Sequence, residues 1–196
     1  MNCILYLHGF LSSPHSIKAQ QTRAYLQNQH PDVEFICPEL SNSPARLAAQ
    51  LNDLLTQQPK ILTQGLRVIG SSMGGYLATW LVEQFGGRAV LINPAVKPFE
   101  LLQDYLGEHE NPYTNKRFIL RSDDIDHIRD FYQPVLANPQ RYHVLLQTGD
   151  ETLDYRLAAA HYEGASVCIE QGGDHSFVGY EDHLGEIMRF LQGRQD

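Results

Sequence analysis

The chain has 196 residues, of which 42% are hydrophobic, and a formal net charge of −8. This length predicts a single domain over residues 1–196 with a sizeable core, and the hydrophobic share is typical of a soluble protein. The acidic balance argues against a nucleic-acid surface and against binding to anionic membranes, so we expect neither as a partner.

Three widely spaced cysteines, Cys3, Cys37 and Cys168, lie in or beside apolar runs and form no Cys-x-x-Cys pair. An odd number without framework spacing predicts reduced, buried thiols in a cytoplasmic protein. No apolar run is long enough to span a membrane, and the N-terminus lacks the basic region of a secretion signal. The histidines show no paired metal-ligand spacing, so we predict no metal and no other cofactor.

Short apolar runs alternate with helical patterns along most of the chain. The first run, residues 4–7, ends at a glycine turn, and Ser13-Pro14 then has the pattern of a helix start, which Ser43-Pro44 repeats. Further runs predict strands at residues 33–37, 66–69, 89–92, 142–147 and 166–170. The alternation favours right-handed crossovers and predicts an α/β fold, with a mostly parallel sheet of about six strands and helices on both faces.

The alternation breaks between residues 97 and 139, where no clean strand is visible. Two helices are predicted near residues 99–105 and 125–137, and a polar stretch at residues 109–116 joins them. A segment inserted between regular strand–helix units is often a lid over a site. We therefore expect a small helical lid.

A Gly-x-Ser-x-Gly pattern centred on Ser72 follows the strand at residues 66–69 and precedes an apolar helix at residues 76–85. In this setting the serine occupies a strained strand-to-helix turn, with its hydroxyl above the end of the sheet. Gly70 and Gly74 have no Cβ, which permits a sharp turn and close packing of the helix. A phosphate loop is disfavoured because the stretch lacks a Gly-Lys-Ser/Thr ending. Ser72 is therefore a candidate nucleophile.

A serine nucleophile needs a base, and the base needs an acid that orients it. Asp150 follows the strand at residues 142–147, and His175 follows the last predicted strand. This gives the chain order Ser, Asp, His of hydrolases that have such a serine turn. A helix N-cap or a turn is the structural alternative for Asp150, and Asp154 is its nearest competitor. A place in a surface loop is the alternative for His175.

Two backbone donors are expected to bind the oxyanion of a tetrahedral intermediate. One is the N–H of Met73, the residue after the nucleophile, and the other is the N–H of Phe10 in the loop after the first strand. His8 is expected to brace this loop by a hydrogen bond. Four residues are candidates either for the lining of an acyl pocket or for plain core: Phe10, Leu11, Tyr76 and Phe177.

In combination, these motifs resemble the α/β-hydrolase superfamily, and within it the small bacterial YqiA-type esterases. The likeness spans nearly the whole chain and rests on residues 5–10, 12–14, 70–76, 147–151 and 173–177. The resemblance implies an α/β-hydrolase fold and a cytoplasmic esterase or thioesterase that acts on small-molecule acyl esters.

We therefore expect a serine hydrolase that forms an acyl-enzyme on Ser72. An acyltransferase, a C–C hydrolase or a lyase with the same triad is an alternative within enzymes. A non-catalytic hydrolase-fold protein that binds a small ligand or a partner is an alternative from another class. The complete set of Ser72, Asp150 and His175 weighs against it, because a binding protein would not need all three.

Overall fold

The computed structural model describes residues 3–193, and its strands form two separate sheets. These residues contain β1 (Cys3–Leu7), β2 (Glu34–Ile36), β3 (Arg67–Ser71), β4 (Arg88–Ile92), β5 (Gly107–Glu110), β6 (Arg117–Leu120), β7 (Tyr142–Gln147) and β8 (Ser166–Glu170). Six strands form one sheet in the order β2-β1-β3-β4-β7-β8, and every neighbouring pair is parallel. Strands β5 and β6 form a separate antiparallel hairpin.

Helices connect the strands of the sheet. The described residues form α1 (Ile17–Gln29), α2 (Pro44–Gln57), α3 (Lys60–Thr63), α4 (Met73–Phe85), α5 (Pro98–Leu101), α6 (Ser122–Arg129), α7 (Tyr155–His161) and α8 (Leu184–Gln192). Short 3-10 helices lie at Leu102–Tyr105, Pro139–Arg141 and Tyr180–His183. Between residues 3 and 193, no helix has both the length and the apolar character needed to cross a membrane.

The sheet separates two hydrophobic cores, because successive residues of a strand point to opposite faces. Leu5 and Leu7 of β1 face the core that α2, α4 and α7 cover. Ile4 and Tyr6 face the core that α1 and α8 cover. Each of these four side chains is at most 1% exposed. Burial on both faces explains why the strands are continuous apolar runs in the sequence, and the predicted six-stranded sheet between two helical layers is confirmed.

Helix α1 begins at Ile17, later than the Ser13-Pro14 pattern predicts. The Ser13 hydroxyl accepts a hydrogen bond from the His15 N–H at 3.0 Å, and the Ser13 carbonyl accepts one from the Ser16 N–H at 3.1 Å. These two bonds form a turn ahead of the helix, so the serine–proline pair opens a turn here. At Pro44, in contrast, helix α2 begins as predicted.

The sequence predicts a helical segment at residues 97–139, but the structure also has the β5–β6 hairpin there. Strand β5 is short, polar and half exposed, so its sequence shows no apolar run. Aromatic contacts hold the hairpin on the rest of the molecule. The ring of Phe10 lies 5.9 Å from His109 of β5 and 6.0 Å from Phe118 of β6, edge-on in both cases. Tertiary packing thus overrides weak local propensity.

Helix α6 ends at Arg129, before the predicted end at residue 137. Pro134 accounts for the difference, since its ring would clash with the Asp130 carbonyl in a continued helix and it has no N–H to donate. The chain turns instead and carries Phe131 into the core, where its ring lies 5.0 Å from that of Trp80.

Helix α4 packs directly on β1 because Gly74 has no side chain. A Cβ on Gly74 would lie 1.9 Å from the Leu7 carbonyl oxygen, and a Cβ on Gly70 would lie 2.4 Å from the Gly74 carbonyl oxygen. Neither distance is physically possible for a carbon atom. The turn between β3 and α4 therefore requires glycine at both positions, as the sequence pattern predicted.

We expect Gly74→Ala to lower the free energy of unfolding by about 2 kcal/mol or more, because backbone atoms of β1 would have to move. Gly185→Ala in α8 is the matched control, since the nearest atom to its Cβ is Arg189 Nη1 at 3.6 Å, an ordinary contact. The control is expected to be neutral or to stabilise by up to about 1 kcal/mol. Urea denaturation measures both, and equal losses would contradict the close-packing explanation.

Candidate active site

Ser72 lies at the carboxyl end of β3, at the turn into α4. Its φ of 55° and ψ of −120° fall in a backbone region that residues other than glycine rarely adopt. Hydrogen bonds hold this conformation from both sides. The Ser72 N–H donates to the Ile92 carbonyl at 3.0 Å, and the Ser72 carbonyl accepts from the N–H groups of Gly75 at 2.9 Å and Ala95 at 3.1 Å. The predicted strained turn is therefore present and firmly held.

Three side chains from three strand ends form one line of hydrogen bonds. Ser72 Oγ lies 3.0 Å from His175 Nε2. His175 Nδ1 lies 2.8 Å from Asp150 Oδ2 and 3.0 Å from Oδ1. These residues follow β3, β8 and β7, and the carboxyl ends of parallel strands share one edge of the sheet. The fold thus brings together the three residues that the sequence distributes over more than half of the chain.

The two contacts of His175 fix the positions of its protons. An ionised carboxylate can only accept, so Nδ1 carries a proton and donates it to Asp150. In the neutral ring, Nε2 is then an acceptor that faces the Ser72 hydroxyl. This arrangement can take the proton of Ser72 while Asp150 stabilises the resulting positive charge on the ring.

The carboxylate of Asp150 is almost completely buried, with a side-chain exposure of 2%. Its Oδ1 also accepts from the N–H groups of Thr152 at 2.9 Å and Leu153 at 2.8 Å, which compensates for the loss of water. Asp154, the competing candidate, has a different position. It is the exposed N-cap of α7, where its Oδ1 accepts from the Arg156 N–H at 3.0 Å and pairs with the Arg156 guanidinium at 2.8 Å.

Two buried amide side chains hold the loop that carries His175, and neither was a predicted site residue. Asn93, which follows β4, donates from Nδ2 to the Asp174 carbonyl at 3.0 Å and accepts at Oδ1 from the Gln147 N–H at 3.0 Å. Gln147 ends β7, and its Oε1 accepts from the N–H groups of Asp174 at 3.2 Å and Val178 at 2.9 Å. Both amides are polar residues at or just after the end of a strand, which is the sequence pattern that identified Asp150.

The amide of Gln147 has no hydrogen-bonding capacity left. Its Nε2 donates to the Glu170 carboxylate at 2.9 Å and to the Val178 carbonyl at 2.8 Å, so both donors and both acceptor positions are used. Space is equally restricted, since a Cβ on Gly173 would lie 1.9 Å from Gln147 Oε1. Gly173 also has a φ of 69°, which favours glycine. The loop is therefore fixed by hydrogen bonds and by contact.

The loop after β1 lies against Ser72. A Cβ on Gly9 would lie only 3.7 Å from Ser72 Oγ, so the backbone of this loop is next to the hydroxyl. His8 fixes the loop, because its Nε2 accepts from the Leu40 N–H at 3.1 Å and its Nδ1 donates to the Gly9 carbonyl at 3.0 Å. Burial lowers the pKa of His8, which favours this neutral form. The expected bracing role of His8 is confirmed.

Phe10 and Met73 are the chain neighbours of Gly9 and of Ser72, respectively. Phe10 follows Gly9 in the loop after β1, and its ring supports the hairpin of the inserted segment. Met73 is the first residue of α4, so its N–H has no carbonyl partner within the helix. Positive charge density collects at this end of a helix, which favours a bound anion there.

Two cavities flank the Ser72 turn. The larger, about 470 Å³, lies on the side of His175, and its lining includes Ser72, Lys18 and Phe177. The smaller, about 30 Å³, lies beneath the inserted segment. Its lining is mostly apolar and includes Phe10, Leu11, Leu40, Leu47, Met73, Leu77, Leu102 and Ile128.

The candidates for pocket lining other than Phe10 lie in different surroundings. Leu11 lines the small apolar cavity. Phe177 borders the larger cavity although it is only 2% exposed. Tyr76 is a core residue, because it is 3% exposed and its hydroxyl donates to the Ile128 carbonyl at 2.8 Å.

Two further observations concern other parts of the molecule. A cavity of about 680 Å³ lies at the opposite edge of the sheet, beside Arg88, Arg141 and His143, and is remote from Ser72. Volume alone therefore does not locate the site, whereas the hydrogen-bond geometry does.

Within residues 3–193, no group of three or more His, Cys, Asp or Glu side chains is placed to hold a metal ion.

We expect Gln147→Met to loosen the His175 loop, because methionine fills similar space but cannot accept from the N–H groups of Asp174 and Val178. Amide hydrogen exchange at residues 174 and 178 should then become about 10-fold faster or more. Gln50→Met is the matched control, since Gln50 Oε1 holds another loop by accepting from the Ser41 N–H at 2.8 Å. The control should leave exchange at residues 174 and 178 unchanged, and equal effects of the two substitutions would contradict the local role of Gln147.

Similar folds occur in several solved hydrolase structures. Est1E from Butyrivibrio proteoclasticus, solved with ferulic acid bound, aligns with a TM-score of 0.75 at 12% identity, over 99% of this chain and 89% of that chain. Mouse alpha/beta hydrolase domain-containing protein 10 aligns with a TM-score of 0.72 at 15% identity, over 98% and 90%. The esterase domain of a Rhodothermus marinus protein aligns with a TM-score of 0.62 at 14% identity, over 98% and 85%. At these identities the likeness establishes the α/β-hydrolase fold.

Sequence comparison places the chain in a family. A UPF0227 protein from Serratia proteamaculans (strain 568) is 28% identical over 195 residues, which covers 95% of this chain and 97% of the relative. Residues 3–192 match the sequence profile of the family described as Uncharacterised protein family (UPF0227). The chain therefore belongs to the UPF0227 family and has the fold of an α/β hydrolase.

Proposed function

We propose that the protein is a serine hydrolase that cleaves carboxylic esters or thioesters of small molecules. The observation that carries the proposal is the line of hydrogen bonds from Ser72 through His175 to the buried Asp150. Structural neighbours support the proposal, since the chain shares its fold with an esterase domain and with Est1E, which was solved with ferulic acid bound. A nucleophile, a base and an orienting acid within hydrogen-bond reach are the parts that acyl transfer needs.

In the first half-reaction, Ser72 Oγ attacks the carbonyl carbon of the ester while His175 Nε2 takes the hydroxyl proton. The carbonyl oxygen becomes an oxyanion in the tetrahedral intermediate. His175 then gives its proton to the oxygen or sulfur of the leaving group as the bond to the acyl carbon breaks. The products of this step are the free alcohol or thiol and an acyl-enzyme on Ser72.

The oxyanion needs donors that are already in place. We assign this role to the N–H groups of Met73 and Phe10. The first lies at the start of α4, and the second lies in the loop whose Gly9 is next to Ser72 Oγ. His8 keeps this loop rigid through its bonds to Leu40 and Gly9. A preformed donor pair costs no reorganisation at the moment of reaction.

In the second half-reaction, His175 takes a proton from water, and the resulting hydroxide attacks the acyl carbon. The bond to Ser72 Oγ then breaks, His175 returns the proton to the serine, and the carboxylic acid leaves. One water is consumed and the free enzyme is restored.

The inserted segment, residues 97–139, forms a cap on a single hydrolase domain in this proposal. Asn111 Nδ2, in the turn of the β5–β6 hairpin, donates to the Ser12 carbonyl at 2.9 Å and so ties the cap to the loop after β1. We place the acyl group at the small apolar cavity beneath the cap, which Leu11 and Phe10 line, and its volume of about 30 Å³ admits only a short acyl group. Three unpaired cysteines support a reducing compartment, and we propose that the protein is cytoplasmic.

We expect Ser72→Ala to lower kcat/KM for p-nitrophenyl acetate by about 10⁴-fold or more and to abolish labelling by a fluorophosphonate probe. The adjacent Ser71→Ala is the matched control and should keep both properties. Ester hydrolysis with 4-nitrophenolate release and gel-based labelling measure the two effects. Equal labelling of wild type and Ser72→Ala would overturn the proposed mechanism.

Asp150→Asn is expected to lower kcat by about 10⁴-fold, because an amide can hold His175 in the wrong tautomer and cannot stabilise its positive charge. Asp154→Asn is the matched control, since asparagine can still cap α7 and the site should keep its activity. Steady-state kinetics of both variants, with circular dichroism to confirm folding, decides between the two carboxylates. If Asp154→Asn loses activity and Asp150→Asn keeps it, the orienting role belongs to Asp154 and the proposed role of Asp150 is wrong.

A further inference from the structure

The cavity of about 470 Å³ is on the leaving-group side of the site, if the proposed function holds. His175 must protonate the leaving oxygen or sulfur, so the leaving group has to lie next to Nε2. This cavity is lined by Ser72, by His175 and by the three residues after it, whereas the lining of the small apolar cavity includes neither Ser72 nor His175. The chemistry of the larger cavity therefore indicates which alcohols or thiols are released.

Lys18 is the cationic side chain in the lining of this cavity. It comes from the second residue of α1, and its Nζ donates to the Ser176 carbonyl at 2.6 Å. Ser176 is the residue after His175, so the ammonium group lies beside the catalytic loop of the proposed mechanism. An ammonium has three N–H donors, which leaves two for another partner.

The carboxylates in the same lining already have donors of their own. Glu151 accepts from the His175 N–H at 3.0 Å, and Glu181 accepts from Gln21 Nε2 at 2.6 Å. Neither forms an ion pair with Lys18, whose ammonium donates to a carbonyl and has no ion pair among the described residues. The direct hydrogen-bond partner of this half-buried cation is neutral, so its remaining donors can bind an anionic group, although the nearby charges of Asp174 and Asp150 offset part of the attraction.

We propose that Lys18 binds an anionic group, a carboxylate or a phosphate, on the leaving alcohol or thiol of the substrate. The anion forms a charge-assisted hydrogen bond with the two remaining Nζ donors, while the ester carbonyl lies at Ser72. This deepens the proposed hydrolase function by naming the class of leaving group.

The charge on Lys18 depends on pH in a range that experiments can reach. Burial lowers the pKa of Lys18 to about 8, and the nearby charges of Asp174 and Asp150 counteract part of this effect. Lys18 is therefore cationic below about pH 8 and neutral above it. The other charged or titratable groups in the lining of the cavity are Tyr6, His8, Tyr113, Glu151, His175 and Glu181. Changes in these groups act on any ester, so a ratio between two matched substrates cancels much of their effect.

The test compares 4-acetoxybenzoate with its methyl ester, which differ in the charge of the leaving phenol. For Lys18→Met, kcat/KM for the anionic ester relative to the neutral ester should fall about 10- to 100-fold compared with wild type. Lys18→Arg should retain most of the preference. Lys60→Met, which removes the same charge from the pair with Glu34, should not change the ratio.

An equal loss for both esters would show that Lys18 only holds the Ser176 carbonyl, and would overturn this inference while the proposed function stands. If Lys18→Met does not fold, the wild-type enzyme decides by its pH profile. The ratio should be constant up to about pH 7 and fall as the pH passes 8, and a flat ratio up to pH 9.5 overturns the inference. Failure of the wild type both to hydrolyse either ester and to react with a fluorophosphonate probe would instead overturn the proposed function.

Discussion

The 3.0 Å contact between Ser72 Oγ and His175 Nε2 depends on two loops that come from strands on different parts of the sheet. Ser72 is held by a turn that few residues can adopt, and such a conformation costs of order 1–3 kcal/mol. Bonds from Ile92, Gly75 and Ala95 hold it in place. On the other side, no regular structure holds His175, because it lies in a loop after the edge strand β8. Hydrogen bonds from side chains therefore provide much of the restraint on this loop, whereas backbone hydrogen bonds hold Ser72.

Asn93 and Gln147 provide that restraint, and both are themselves only 3% exposed. A buried amide that leaves a donor or acceptor unpaired costs about 1–3 kcal/mol, so each of them strongly favours the one loop conformation that satisfies it. Asn93 also links the two restraints, since its Oδ1 binds the Gln147 N–H while its Nδ2 binds the loop. Residues at the carboxyl ends of β4 and β7 thus keep the His175 loop in a single conformation. The same edge places the Asp150 carboxylate within hydrogen-bond distance of His175 Nδ1.

The sequence predicts this edge better than it predicts what covers it. Parallel strands buried on both faces leave continuous apolar runs, and the fold then forces the residues after them to one edge, which is how Ser72, Asp150 and His175 could be placed together. The β5–β6 hairpin left no such trace, because it depends on the ring of Phe10, about a hundred positions away in the chain. The role of Gln147 was equally hidden, since a polar residue at a strand end indicates a site but does not identify its partner.

Phe10 connects these two levels, since its backbone N–H is assigned to the oxyanion and its ring supports the hairpin. Because of this contact, a shift of the hairpin would change the packing around the loop after β1. His8 opposes such movement by fixing the loop to Leu40 from the other side.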